Sequence, residues 1–204
     1  MKTNRLEVQK TYKMFIGGAF PRTESGRYEA VKDKDGKVLV NSCRASRKDL
    51  RNAVVAAEKA QPGWAAKTAY LKGQIIYRVA EIAEGRLDQL IAERQKEGLS
   101  GAKATQEVEA MIDGVVQMAG WSDKYQQIFS SVNPVASQHF NFTVLEPVGV
   151  VYLTLENKPL NEWLVQLMGL IVSGNAVVLQ IPKESTLSAI AMAEIFNVSD
   201  IPGG

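Results

Sequence analysis

Two continuous apolar runs, Gly149 to Leu155 and Ala176 to Ile181, constrain this chain more than any other feature. Neither alternates apolar with polar residues, which is the pattern of strands covered on both faces in a parallel sheet. Between them lies an apolar stretch from Leu160 to Val172 that ends at Ser173-Gly174-Asn175. Strand, helix, glycine turn and strand define a βαβ unit with a right-handed crossover. A further helix, from Ser185 to about Phe196 with Ser185 or Thr186 as its cap, opens a second crossover. The sequence then runs out at Ile201-Pro202-Gly203-Gly204. A doubly wound sheet binds ligands beyond the carboxyl ends of adjacent strands. Two strands leave an apolar edge open, so the expectation is that another chain covers it or that the sequence belongs to something longer.

Upstream, the pattern is different. Met14 to Phe20, Thr23-Glu24-Ser25-Gly26, and Asp33-Lys34-Asp35-Gly36 before Val38-Leu39-Val40 read as short strands and turns of a small antiparallel unit. From Asp49 the apolar residues Leu50, Val54, Ala57 and Ala60 take helical spacing behind Ser46, a hydroxyl cap, and Pro62-Gly63 is expected to stop this helix near Gln61. Leu71 to Ile82 and Leu87 to Glu97, interrupted at Gly85, predict a helical hairpin. A long helix is expected from Ala102 to Phe129, weakened or broken at Gly114 or Gly120. Ser130 to Pro134 reads as loop. Phe140, Phe142 and Val144 then alternate with Asn141, Thr143 and Leu145 as an exposed strand.

Charge and composition exclude several roles. With 24 Lys+Arg against 22 Asp+Glu the formal charge is +2, and no basic cluster suits a nucleic acid or a membrane surface as partner. The N-terminus lacks the apolar core of a signal sequence, and no run reaches the roughly 18 apolar residues of a membrane helix. A cytoplasmic location is expected. One cysteine, Cys43, and one histidine, His139, exclude an internal disulfide and supply no zinc ligand set, so no metal is expected. Cys43 has no histidine nearby in sequence, and His139 falls on the exposed strand. No nucleophile and base pair is visible.

Four segments carry a family resemblance: Phe15-Ile16-Gly17-Gly18, the stretch Asp49 to Trp64, Glu146-Pro147-Val148-Gly149-Val150-Val151, and Ser173-Gly174-Asn175-Ala176-Val177-Val178-Leu179. In order and spacing the chain resembles the N-terminal part of the aldehyde dehydrogenase superfamily, from about Phe15 to Gly204, in a divergent form lacking the catalytic half. The resemblance implies an α/β fold in three parts. These are an N-terminal strand arm and helical layer (1–132), an oligomerisation-type antiparallel hairpin arm (133–148), and the start of an incomplete Rossmann-like parallel sheet (149–204).

The same resemblance implies NAD or NADP as cofactor, bound in a groove lined by Thr154, Leu155, Glu156, Gln180, Pro182 and Lys183. Asn157 matches the family asparagine that donates into the oxyanion hole; a helix cap or Asx-turn is the other reading of that residue. Glu156 stands where the family has an apolar ring, and a carboxylate there opposes an oxyanion. Gln180 and Lys183 occupy the places of a Lys and a Glu that grip the adenosine ribose. Gln180 keeps a donor, whereas Lys183 cannot accept; it attracts a phosphate or is simply a solvated charge. No G-x-G-x-x-G is present.

The family's nucleophilic cysteine and general-base glutamate lie beyond Gly204. Three readings follow. The first is a chain non-catalytic by itself, acting as scaffold or oligomer partner with its own copies or a related aldehyde dehydrogenase chain. The second is the N-terminal portion of an NAD(P)-dependent enzyme that oxidises an aldehyde to a carboxylic acid when completed. The third is an α/β interaction module without ligand.

Overall fold

The computed structural model describes residues 10–33, 35–156 and 158–203. Three strands come first: β1 (Thr11–Tyr12), β2 (Tyr28–Lys32) and β3 (Val38–Cys43). β3 is central, antiparallel to β2 but parallel to β1, so the expected all-antiparallel unit is a mixed sheet. The expected strand at Met14 to Phe20 is instead a tight turn. Ile16 and Ala19 exchange backbone hydrogen bonds around Gly17 and Gly18, both at positive φ, which a two-residue turn of this hand demands of its central residues.

Helix α1 (Arg47–Ala65) begins with the Ser46 cap that the sequence indicates. Its capping box is reciprocal: Asp49 N–H donates to Ser46 Oγ at 3.2 Å, and Ser46 N–H donates to Asp49 Oδ2 at 2.8 Å. Asp49 also accepts from the Thr23 hydroxyl at 2.6 Å and from Glu24 N–H, which ties the helix to the preceding loop. Against expectation α1 runs through Pro62. Burial decides this: Trp64 is buried, and its indole N–H donates to Ile171 O at 2.7 Å, which holds the last turn helical past the proline.

Four further helices build the layer: α2 (Ala69–Gly85), α3 (Leu87–Lys96), α4 (Gly101–Trp121) and α5 (Tyr125–Phe129). The expected helix from Ala102 to Phe129 does break, but at Ser122–Lys124 rather than at a glycine. Gly114 sits where α4 meets α6, and a Cβ there would lie 2.5 Å from Val165 Cγ2. The glycine is a packing device, not a weak point. The arm pairs β4 (Val132–Asn133) with β5 (Asn141–Phe142), so part of the expected loop is strand and the expected strand is short. His139 lies in the connection between them and not on a strand, its Nδ1 at 2.7 Å from Ser137 Oγ.

The βαβ unit forms as expected: β6 (Val150–Thr154), α6 (Leu160–Val172) and β7 (Ala176–Gln180), the strands parallel with Thr154 beside Gln180. Its turn is held by the Asn175 side chain, which accepts from Gly149 N–H and donates to Leu170 O. The main core packs α6 against α2 and α4, and α7 (Thr186–Val198) against α2 and α3, while Ala57 of α1 covers Ala176 and Val178 on the other face. Cover is incomplete, contrary to the expectation of strands buried on both faces, since Tyr152 is 50% exposed. No helix among the described residues is long and apolar enough to cross a membrane.

Two outcomes test these assignments. Gly114→Ala should lower unfolding free energy by about 1–3 kcal/mol in a denaturant titration, although Ala is the better helix former, because the added methyl displaces Val165. Burial works against the Asp49 charge, but hydrogen bonds from Thr23, Ser46 and Glu24 outweigh it and hold the carboxyl below its ordinary value. A lowered folded pKa contributes stability that is complete above the unfolded value and is lost as pH falls through the folded one. Asp49→Asn should therefore be less stable than the parent at pH 7, with the gap closing below about pH 3.9.

Candidate functional site

The carboxyl ends of β6 and β7 form one crevice. Leu155 N–H donates to Gln180 O at 2.9 Å, which continues the ladder one residue past the strand and brings Thr154, Leu155 and Gln180 together. Leu155 is buried, whereas Thr154, Glu156 and Gln180 are exposed at the mouth. Pro182 and the short 3-10 turn Lys183–Ser185 lead into α7 along the opposite side. Asn157, the oxyanion-hole candidate, lies outside the described residues.

Two partners at this crevice are not apparent from local sequence. The Tyr152 hydroxyl donates to Gln180 Oε1, leaving the Gln180 Nε2 donors to face outward. Tyr152 precedes Thr154 by two residues on the same strand face, so period-two spacing contains a signal for it. Lys183 Nζ lies 3.7 Å from Glu29 Oε2, and Glu29 is also 3.5 Å from Arg44 Nε. Nothing in the spacing from Glu29 to Lys183 foretells that pairing. Both charges are exposed, and such pairs contribute about 0–1 kcal/mol. Glu29 nevertheless places a carboxylate beside the position that lacks one in sequence.

The two helices flanking the crevice start on carboxylates from far along the chain. Leu160 N–H, at the first turn of α6, donates to Glu107 Oε1 of α4, and Ser188 N–H, in the first turn of α7, donates to Glu97 Oε1 at 2.9 Å. Ser185 and Thr186, the expected caps, do not cap α7; the Thr186 hydroxyl donates to Lys183 O at 2.7 Å and lies 3.0 Å from Ser42 Oγ instead. Arg94 bridges the two carboxylates, 2.6 Å from Glu97 Oε2 and 2.8 Å from Glu107 Oε1, all three side chains being nearly inaccessible. Burial raises the Glu97 carboxyl above its ordinary value, against the bonds from Ser188 and Arg94.

For an acid, a raised folded pKa means that stability falls as pH rises through the window above the unfolded value. Arg94→Leu leaves two buried carboxylates uncompensated and should cost about 3–5 kcal/mol at pH 7. Acidification should shrink that deficit as Glu97, whose carboxyl burial already holds above its ordinary value, takes up its proton. Parallel denaturant titrations of the variant and parent at pH 7 and pH 4 check both signs.

Among the described residues no group of three His, Cys, Asp or Glu side chains could hold a metal ion. Cys43 is a free, half-buried thiol at the end of β3, and His139 belongs to the distant arm. For a dinucleotide, the Gln180 amide and the Lys183 ammonium supply donors. The neighbouring acceptor, Glu29, is already shared by two cations, so the side chains present fit a ribose diol poorly.

The aldehyde dehydrogenase family model matches residues 20–204. Among solved structures, the NAD+ complex of an aldehyde dehydrogenase from Bacillus cereus has 27% identity and a TM-score of 0.88, over 95% of this chain and 40% of that one. An NAD-dependent benzaldehyde dehydrogenase from Corynebacterium glutamicum has 27% identity and a TM-score of 0.86, over 94% and 42%. One described as a putative aldehyde dehydrogenase from Burkholderia cenocepacia has 25% identity and a TM-score of 0.88, over 97% and 40%. The chain thus spans about two fifths of the length of these relatives. The match to the family model over most of the chain, together with a βαβ unit whose glycine turn and strand register carry the shared motifs, makes this chain a member of the aldehyde dehydrogenase family, corresponding to its N-terminal part.

Proposed function

We propose that this chain is non-catalytic by itself and acts as a scaffold or oligomer partner within an aldehyde dehydrogenase framework. The observation that carries this reading is the state of the two ribose-facing positions. The Gln180 carbonyl is engaged by Tyr152, and the Lys183 ammonium faces Glu29, so the pair offers a nucleotide one free amide and a cation already partnered. Glu156 adds a carboxylate at the mouth, where an oxyanion would be disfavoured.

The arm supports self-association or pairing with a related chain. Its apolar residues face solvent, with Phe140 74% and Val148 89% exposed, and Val132, Phe142 and Val144 beside them. Exposed apolar clusters of this kind mark interaction surfaces. A cytoplasmic setting suits a chain with one half-buried free thiol.

A second reading is the N-terminal portion of an NAD(P)-dependent enzyme oxidising an aldehyde to an acid once completed. It is favoured by the adjacency of Thr154, Leu155 and Gln180 and by the NAD+ complex among the similar structures. There, Asn157 would be the oxyanion donor and Pro182 and Lys183 would border the cofactor; the reacting cysteine and base would come from elsewhere.

Calorimetric titration with NAD and with NADP, alongside sedimentation in the same buffer, separates the two. The expected result is no saturable heat with either nucleotide from a folded chain that sediments larger than a monomer. Saturable binding in the micromolar range that Gln180→Ala abolishes would reverse the order of the readings.

A further inference from the structure

The formal charge of +2 conceals an uneven distribution. Residues 1–51 carry 13 Lys+Arg and 6 Asp+Glu, whereas residues 52–204 carry 11 and 16. The basic residues of the first group are spaced out, so no run announces them, which is why the sequence suggests no nucleic-acid partner. The fold gathers them. Thr23 and Glu24 donate to Asp49 in the first turn of α1, Lys48 Nζ lies 2.7 Å from Glu24 Oε2, and Arg44 N–H donates to Arg27 O at 3.1 Å. These contacts bring the loop 22–27, the start of β2 and the first turns of α1 onto one surface.

Arg22, Arg27, Arg44, Arg47, Lys48 and Arg51 are all exposed there. Arg47 and Arg51 stand one turn apart on the same side of α1. The acids nearby are already occupied: Asp49 is buried in the helix cap, Glu24 faces Lys48, and Glu29 is shared by Arg44 and Lys183. Arg22, Arg27, Arg47 and Arg51 have no carboxylate partner among the described residues. Like charges on one surface without compensation oppose folding, and a bound polyanion relieves that repulsion.

Five of the six cations are arginines, whose planar fork matches phosphate oxygens and also stacks on flat rings. Tyr28 lies among them: it follows Arg27, pairs across the ladder with Cys43, the residue before Arg44, and is 59% exposed. An exposed ring beside unpaired guanidinium groups is the combination that holds a strand with unstacked bases.

We propose that this surface binds single-stranded nucleic acid without sequence preference, the arginines taking phosphates and Tyr28 stacking on a base. A duplex keeps its bases stacked inside and offers Tyr28 nothing to cover. A lipid surface calls for apolar side chains that insert beside the cations, and among the described residues Leu50 is the one large aliphatic exposed between Arg22 and Arg51. The inference is independent of whether the crevice takes NAD.

The test is fluorescence anisotropy of a labelled oligothymidylate of about twelve nucleotides, within the span of single-strand sites, titrated with the full chain. The expected dissociation constant is about 1–100 µM near physiological salt, and log K should fall against log salt with a slope of about −3, the value for four phosphates on a single strand. Arg47→Gln with Arg51→Gln should flatten the slope to about −1.4. Tyr28→Leu should weaken binding about tenfold with the slope unchanged, whereas Tyr28→Phe, which keeps the ring, should bind as the parent does. Lys103→Gln removes an exposed charge on α4 and should change neither quantity. The slope of the parent needs no variant, so the test stands even where a substitution unfolds the chain.

Absence of saturable binding at about 50 mM salt overturns the inference. So does an effect of Lys103→Gln equal to that of the α1 arginines, which would mean diffuse charge, or displacement by excess NAD, which would put the oligonucleotide in the crevice. A duplex of the same length bound as tightly, with Tyr28→Leu without effect, overturns the single-strand assignment. Tighter binding to phosphatidylserine vesicles than to the oligonucleotide gives the face to a membrane instead. Salt-sensitive self-association abolished by the α1 substitutions, without oligonucleotide binding, gives it to an acidic surface of a second copy.

Discussion

The buried bridge of Arg94 between Glu97 and Glu107 fixes the relation between the helical layer and the βαβ unit. Each carboxylate has a second task, accepting a backbone N–H from the first turn of α6 or of α7. Helix starts expose unpaired donors with a partial positive charge, and burial makes those donors costly to leave alone. Side chains within the α6 and α7 starts do not serve them, so the helical layer does. As a result the two helices that border the crevice are positioned by residues some fifty and ninety positions upstream.

α1 clamps the other side. Its aspartate-serine box sets where the helix begins, and Trp64 and Gln61 donate to Ile171 O and Gly174 O where α6 turns into β7. Asn175 closes the same turn onto Gly149. The parallel pair is thus gripped at its amino end from three directions, while its carboxyl end and outer edge stay open. Rigid support at one end and accessible groups at the other is the usual arrangement for a site at the strand termini of an α/β sheet. Here the crevice carries a glutamine hydrogen-bonded to a tyrosine and a lysine paired with a glutamate.

Much of the fold was legible because it rests on local rules. Continuous apolar runs marked β6 and β7, helical periodicity marked α2 and α3, the apolar stretch between the two strands marked α6, and Ser46 marked the start of α1. The misjudged places are those where a distant contact overrode a local one. Pro62 did not end α1 because Trp64 is buried against α6. Gly114 did not break α4 because its missing side chain is what lets α6 approach. Ser185 and Thr186 did not cap α7 because Glu97 had taken that role.

The candidate site divides the same way. Thr154, Leu155, Glu156, Gln180, Pro182 and Lys183 were candidates only through the family resemblance, and the structure gathers Thr154, Leu155 and Gln180 as neighbours. Tyr152, Glu29, Arg94 and Glu107 came only from the structure, since their partners lie on other elements. By itself the sequence determined the order of the main elements, the βαβ unit and the family, because apolar periodicity, turn chemistry and motif spacing act over a few residues. Tertiary structure alone decided which carboxylate caps which helix, and that Arg94 bridges the two carboxylates. Those outcomes depend on distances between residues far apart in the chain, which no local pattern encodes.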